Sequence, residues 1–147
     1  MESFEYRRVD LTVVCSANII NISMALLFFA RMTGLFVMEK AFGITAITIG
    51  IGLAYISYLN KKNGRNKSEV YLLIPIALFM GVELFLDYIL RLDFRSTVMV
   101  GPYVLCYYFS VWMLIGYSFR FEKKWGFITL CTYFLNMFFS IYPYIIK

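Results

Sequence analysis

The chain alternates between long apolar runs and short polar breaks. Five runs reach the length of about 20 residues that an α-helix needs to cross a bilayer. They lie at roughly 11–30, 41–59, 70–90, 97–119 and 125–146. The pattern therefore predicts an all-α fold, an integral membrane bundle of five transmembrane helices that forms a single domain over residues 1–147.

Because the polar breaks are short, consecutive helices are expected to be antiparallel neighbours. The first boundary has two interpretations. Arg31 is followed by apolar residues up to Met38, so the first helix either ends near residue 30 or runs on to about residue 38. In the second case Arg31 lies inside the membrane. The first run is longer than a signal-peptide core and lacks a small-residue cleavage site, which indicates an uncleaved helix.

Composition agrees with a membrane protein: 61% of the residues are hydrophobic and 16% are charged, with a mean hydropathy of +0.73. Soluble domains are nearer to half apolar and a quarter charged. The number of predicted spans and the length are similar to those of the tryptophan-rich translocator proteins. With two tryptophans and no shared motif, the similarity is one of outline.

The chain contains no histidine and three isolated cysteines, Cys15, Cys106 and Cys131. Histidine is the usual general base near neutral pH and a frequent ligand of zinc and haem. Its absence argues against zinc hydrolases, haem proteins and Ser-His-Asp catalysis. No Cys-x-x-Cys pair supports a thiol–disulfide relay. We therefore expect no cofactor and no bound metal, and the sequence leans against an enzyme.

Lysine and arginine are distributed unevenly over the two sides of a five-span protein. The N-terminus, second loop and fourth loop share one side and carry nine of them: Arg7, Arg8, Lys61, Lys62, Arg65, Lys67, Arg120, Lys123 and Lys124. The other side carries five. The positive-inside rule then predicts a multi-pass protein of the cell membrane with its N-terminus inside and its C-terminus outside. This topology explains the net charge of +5 without a nucleic-acid partner.

The third apolar run ends in charged residues. Glu83, Asp87 and Arg91 are spaced i, i+4, i+8, which places them on one face of an α-helix. An ionisable residue within a transmembrane helix is by default a candidate functional site. We expect Glu83, Asp87 and Arg91 to bind a ligand together with Arg31. The alternative is a structural ion pair of Glu83 with Arg31. The predicted topology also gathers Glu39, Lys40, Asp93 and Arg95 at this end.

Two further sets of polar residues lie within the apolar runs. Asn18 and Asn21 share a face of the first helix, and Asn136 lies in the fifth. They either form hydrogen bonds between helices or line a polar cavity that continues to Glu83. Tyr107, with Tyr103 and Tyr108, forms either the aromatic wall of an outward-facing pocket or part of an interfacial aromatic belt.

The second run carries a stripe of small residues, Ala46, Gly50 and Ala54. Such a stripe allows another helix to approach closely. The partner helix belongs either to the same bundle or to a second copy, so this face is a candidate surface for a homo-oligomer.

Three functions remain open from the sequence. The first is binding or transport of a small cationic or amphipathic ligand in an outward-facing pocket, and we favour it. The second is a structural or accessory subunit that packs with other membrane proteins. The third is a metal-assisted lipid enzyme that uses Glu83 and Asp87. For each of these functions, the lipid bilayer is an expected partner of the protein.

Overall fold

In the computed structural model, which describes residues 2–92 and 98–145, every regular element is helical. The helices are α1 (Glu2–Met32), α2 (Phe36–Lys62), α3 (Lys67–Tyr71), α4 (Ile74–Glu83), a π-helical turn (Leu84–Ile89), α5 (Val100–Phe121) and α6 (Lys123–Ile145). Because α3, α4 and the π-helical turn follow one another closely, they form one span, and five helices are long and apolar enough to cross a membrane. The predicted number of spans is confirmed.

Helix α1 is the central helix of the bundle. It packs against α2, α5 and α6, while α4 lies between α2 and α5. Of its most apolar stretch 56% is buried, against 22–33% for the other spans. The fully buried Val13, Ala17 and Ile20 recur at helical spacing and form the stripe on which the other helices pack.

The first two helices are longer than predicted. The chain turns between Met32 and Phe36, with Gly34 in the left-handed region at φ +72°, which glycine adopts without steric cost. The interpretation in which the first helix continues to Met38 is therefore wrong. Arg31 lies in the last turn of α1.

The third span is not one regular helix. After α3, the chain restarts a helix at Ile74 with Pro75 in its first turn, where the missing N–H of proline costs nothing. The same span ends in the π-helical turn. The predicted start of the fourth run at residue 97, the end of the fifth at 146, and the predictions for Asp93 and Arg95 lie outside the described residues.

The small-residue stripe of α2 is used mainly within the bundle. Ala46 is fully buried, and a side chain at Gly50 would begin 2.4 Å from Cγ of Met80 on α4. Ala54, in contrast, is exposed. A homo-oligomer through all three residues would need surface that the bundle already buries at Ala46 and Gly50.

Candidate functional site

Two cavities lie at the end of the bundle where α1 ends and α5 begins. The first, of about 620 Å³, is enclosed by α1, α4, α5 and α6. We call it the tyrosine cavity, because Tyr103, Tyr107 and Tyr108 form much of its wall. Its volume lies in the range of about 300–1,000 Å³ that is typical of small-molecule sites.

The second cavity, of about 550 Å³, lies between α1, α2 and the end of the third span. We call it the charged cavity, because six charged residues line it: Arg31, Glu39, Lys40, Glu83, Asp87 and Arg91. Three of these side chains are acidic and three are basic. The structure thus brings together the described members of the charge cluster that the sequence predicted.

Glu83 connects the two cavities. Its side chain lines both of them, and the residue is only 7% exposed. Leu27 and Arg31 of α1 also line both cavities. Glu83, Leu27 and Arg31 therefore lie between the two cavities.

The π-helical turn determines how the charged residues are arranged. In a π-helix the hydrogen bonds run from residue i to i+5, as Leu90 N–H does to the carbonyl of Phe85 at 2.9 Å. The regular α-helical face expected for Glu83, Asp87 and Arg91 is therefore not formed. Arg91 lies beyond the turn at φ +52°, an uncommon conformation for a residue other than glycine. Nevertheless, all three residues line the charged cavity.

Arg31 forms its ion pair with Glu39, not with Glu83. Its Nη2 atom lies 2.8 Å from Oε1 of Glu39, and its guanidinium lies 5.8 Å from the ring centre of Phe28. The turn around Gly34 brings the start of α2 beside the end of α1 and so places Glu39 within reach. The Arg31–Glu83 pair considered from the sequence is wrong.

Tyr107 combines a cavity wall with an internal hydrogen bond. It is 4% exposed, and its hydroxyl accepts a hydrogen bond from the amide of Asn136. Its ring packs against Phe79, with ring centres 5.2 Å apart. Asn136 does not itself line the tyrosine cavity, so its described role is to hold Tyr107.

Asn18 and Asn21 lie away from both cavities and join α1 to α6. The amide of Asn18 donates to Oγ1 of Thr129 at 3.1 Å, and the hydroxyl of Thr132 donates to Oδ1 of Asn18 at 2.8 Å. The amide of Asn21 donates to Oγ1 of Thr132 at 3.1 Å. Of the two interpretations of these asparagines, the contacts favour hydrogen bonding between helices.

The sequence pattern does not indicate the buried polar network at the opposite end of the bundle. Arg65, which the positive-inside rule counts only as a loop cation, has a side chain 8% exposed and lies 2.8 Å from Asp10 of α1. It also lies 2.9 Å from Glu69 and donates to Oδ1 of Asn60 at 3.2 Å. No local pattern reveals this network, because Asp10 and Arg65 are far apart in the sequence.

The negative charges around Arg65 stabilise its positive charge. Burial opposes ionisation of the guanidinium, but the hydrogen bond to Asp10 and the negative charges of Asp10 and Glu69 outweigh it. Together they raise the pKa of Arg65 above its ordinary value. The network therefore joins α1 to the connection after α2 through ion pairs of Arg65.

No protein-family model, curated protein or solved structure matches the chain. The five apolar helices make it a multi-pass membrane protein. Within the residues that the structure describes, no three His, Cys, Asp or Glu side chains form a group that would hold a metal ion.

Proposed function

We propose that the protein binds a small amphipathic cation at Glu83 and stores or transports it. The observation that carries this proposal is the position of Glu83, a nearly buried carboxylate that lines both the tyrosine cavity and the charged cavity. Burying a charge in a membrane protein is costly, so such residues are kept mainly where they bind or conduct something.

The two cavities suit the two parts of such a ligand. Aromatic faces attract cations and also accommodate apolar groups, so an organic cation fits beside Tyr103, Tyr107 and Tyr108. The carboxylate of Glu83 supplies the opposite charge where the low dielectric constant strengthens the attraction. The charged cavity offers polar groups to the remainder of the ligand.

We place the N-terminus inside and the C-terminus outside the cell membrane, because nine of the fourteen basic residues then lie inside. In this orientation both cavities open towards the outer side. The ligand would therefore be taken from the outer leaflet or from the medium beyond it.

The alternative functions have less support. An accessory subunit would present its polar residues to partner proteins, whereas Asn18 and Asn21 bind α6 within the same chain. A metal-assisted lipid enzyme would need further ligands beside Glu83 and Asp87, and the described residues provide no group of three.

Equilibrium binding of tetraphenylphosphonium to the protein in lipid nanodiscs tests the proposal. We expect saturable binding that weakens about tenfold or more in Glu83→Gln, because the amide keeps the shape of the side chain but removes its charge. The matched control is Glu122→Gln, since Glu122 lies at the opposite end of the bundle in an exposed pair with Arg7.

Tetraphenylborate, which has nearly the same shape but a negative charge, separates charge recognition from simple partitioning. We expect it to show no saturable binding. Equal binding of both ions, or unchanged affinity in Glu83→Gln, would refute a cation site at Glu83.

A further inference from the structure

A third cavity, of about 680 Å³, lies on the outside of the bundle between α4 and α5. We call it the lipid groove. Its wall is almost entirely apolar and includes exposed side chains such as Leu78, Met99 and Phe109, which are 66%, 67% and 54% exposed. The packed rings of Phe79 and Tyr103, with centres 5.0 Å apart, lie at its inner wall. Tyr103 also lines the tyrosine cavity, so these rings separate the two spaces.

The lipid groove has the length of one leaflet. Along α5 it runs from Met99 to Ser110, a rise of about 16 Å at about 1.5 Å per residue. Along the third span it runs from Pro75 to Leu86, which is a similar distance. Half of the hydrocarbon core of a bilayer is about 15 Å thick. The groove therefore matches the depth of a single acyl layer, from the middle of the membrane to the end of the bundle that holds the cavities.

The outer end of the lipid groove adjoins the charged cavity, whose lining includes Arg91 and Lys40. Leu92 lines both the groove and the charged cavity, and the exposed Arg91 immediately precedes it. Lys40 lines the same cavity. Among the described residues, no carboxylate is within ion-pair distance of Arg91 or Lys40. These two cations are therefore available to an anionic group that lies at the membrane surface above the groove.

We propose that the lipid groove binds one phospholipid, with an acyl chain between α4 and α5 and its phosphate held by Arg91 and Lys40. Arginine and lysine are both suited to phosphate oxygens, and a phospholipid carries its phosphate directly above its acyl chains. This lipid site is separate from the cation site proposed at Glu83. It does not require a ligand to be bound at Glu83.

Native mass spectrometry of the full-length protein from detergent tests the site. The probes are dioleoylphosphatidylglycerol and dioleoylglycerol, which share their chains but differ in the phosphate headgroup. We expect one retained phosphatidylglycerol per protein and at least about tenfold less retention of dioleoylglycerol, since charge-assisted hydrogen bonds to phosphate are lost.

Two substitutions locate the lipid. Leu78→Trp fills the lipid groove, and Arg91→Gln removes the phosphate contact. Both positions are exposed, so both variants are expected to fold, as circular dichroism would verify. Each should lower phosphatidylglycerol retention about tenfold. The controls are Leu135→Trp, at an exposed position of α6, and Arg7→Gln at the other end of the bundle; both should retain the lipid.

Glu83→Gln separates this site from the proposed cation site, because it should weaken tetraphenylphosphonium binding about tenfold or more but leave lipid retention unchanged. Equal retention of the two probes would show that apolar contact alone holds the lipid and would overturn the proposal. Unchanged retention in both Leu78→Trp and Arg91→Gln would overturn it as well.

Discussion

Asp10 of α1 and Arg65 of the loop after α2 are joined by a hydrogen bond and ion pair of 2.8 Å. The second carboxylate oxygen of Asp10 accepts a hydrogen bond of 2.5 Å from the hydroxyl of Tyr117 on α5. One carboxylate therefore ties the central helix both to the second connection and to α5, at the end of the bundle opposite the two cavities.

Removing one partner of this pair should destabilise the protein. We expect Asp10→Asn and Arg65→Gln each to cost about 3 kcal/mol, since each leaves a largely buried charge without its counter-ion. A double-mutant cycle on thermal unfolding in detergent would measure a coupling of about 1–3 kcal/mol between the two residues. Strictly additive effects would show that the pair contributes no mutual stabilisation.

The contribution of Arg65 to the stability of the folded protein should not depend on pH near neutrality. Its pKa is raised in the folded protein, so its stabilising effect is fully present below its ordinary pKa and is lost only as the pH rises through the raised value. The difference in melting temperature between wild type and Arg65→Gln should therefore stay constant across neutral pH. A difference that shrinks as the solution becomes moderately alkaline would contradict this assignment.

Gly43 of α2 should tolerate no side chain while Tyr88 is present. A Cβ atom at residue 43 would lie 2.4 Å from the hydroxyl oxygen of Tyr88, so we expect Gly43→Ala to cost about 1–3 kcal/mol through overpacking. Adding Tyr88→Phe removes that oxygen and leaves Cδ1 of Leu27 at 3.3 Å and the Tyr88 ring carbon at 3.7 Å as the nearest atoms. The double variant should therefore regain part of the lost stability.

The same helix provides the control for Gly43. Nothing lies within 4 Å of a Cβ atom built at Gly52, so Gly52→Ala should stabilise the helix by about 0.5–1 kcal/mol. The measurement is the melting temperature of wild type and of the three variants. If Gly43→Ala and Gly52→Ala shift it in the same direction, the close contact between Gly43 and Tyr88 does not exist.

Tyr107→Phe should cost about 0.6 kcal/mol and at most about 1.7 kcal/mol, the mean and the maximum measured for hydrogen bonds between membrane helices. The substitution strands the amide of Asn136, which is fully buried and whose Oδ1 atom accepts no hydrogen bond from the described residues. Adding Asn136→Leu removes the stranded group and should recover most of the loss. Tyr58→Phe, at a residue 59% exposed, should leave the melting temperature unchanged.

Glu83→Gln should melt at or slightly above the temperature of wild type when no ligand is added. A carboxylate that is kept for binding is retained at some cost to stability, and its neutral isostere removes that cost. If Glu83 instead stabilised the fold as half of a buried ion pair, the same substitution would cost about 3–5 kcal/mol. A clear fall in melting temperature would therefore identify Glu83 as structural and remove the basis of the proposed cation site.

The number and position of the spans could be predicted because they depend on the length of each apolar run, and length is a local property. The break of the third span at Pro75 and its π-helical turn could not be predicted from the same pattern, since apolar residues continue through both. The hydrophobic pattern of residues 70–90 indicates a membrane span. It does not distinguish an α-helical turn from a π-helical turn.

The partners of the charged residues were harder to predict than their location. The clustering of Glu83, Asp87, Arg91 and Arg31 follows from topology, which the apolar runs define. The pairing of Arg31 with Glu39 depends on the direction of the turn at Gly34. The ion pair between Asp10 and Arg65 depends on how the connection after α2 folds back on α1, and no spacing in the sequence encodes that contact.

The π-helical turn gives the third span a place where one residue can be lost without reorienting the rest. Its hydrogen bonds run from residue i to i+5, so deleting one residue between Leu84 and Ile89 would convert them to the i to i+4 bonds of an α-helix. The residues after the deletion would keep their direction relative to Glu83. A deletion within the regular helix α4 would instead rotate Glu83 and everything after it by about 100° relative to the start of α4.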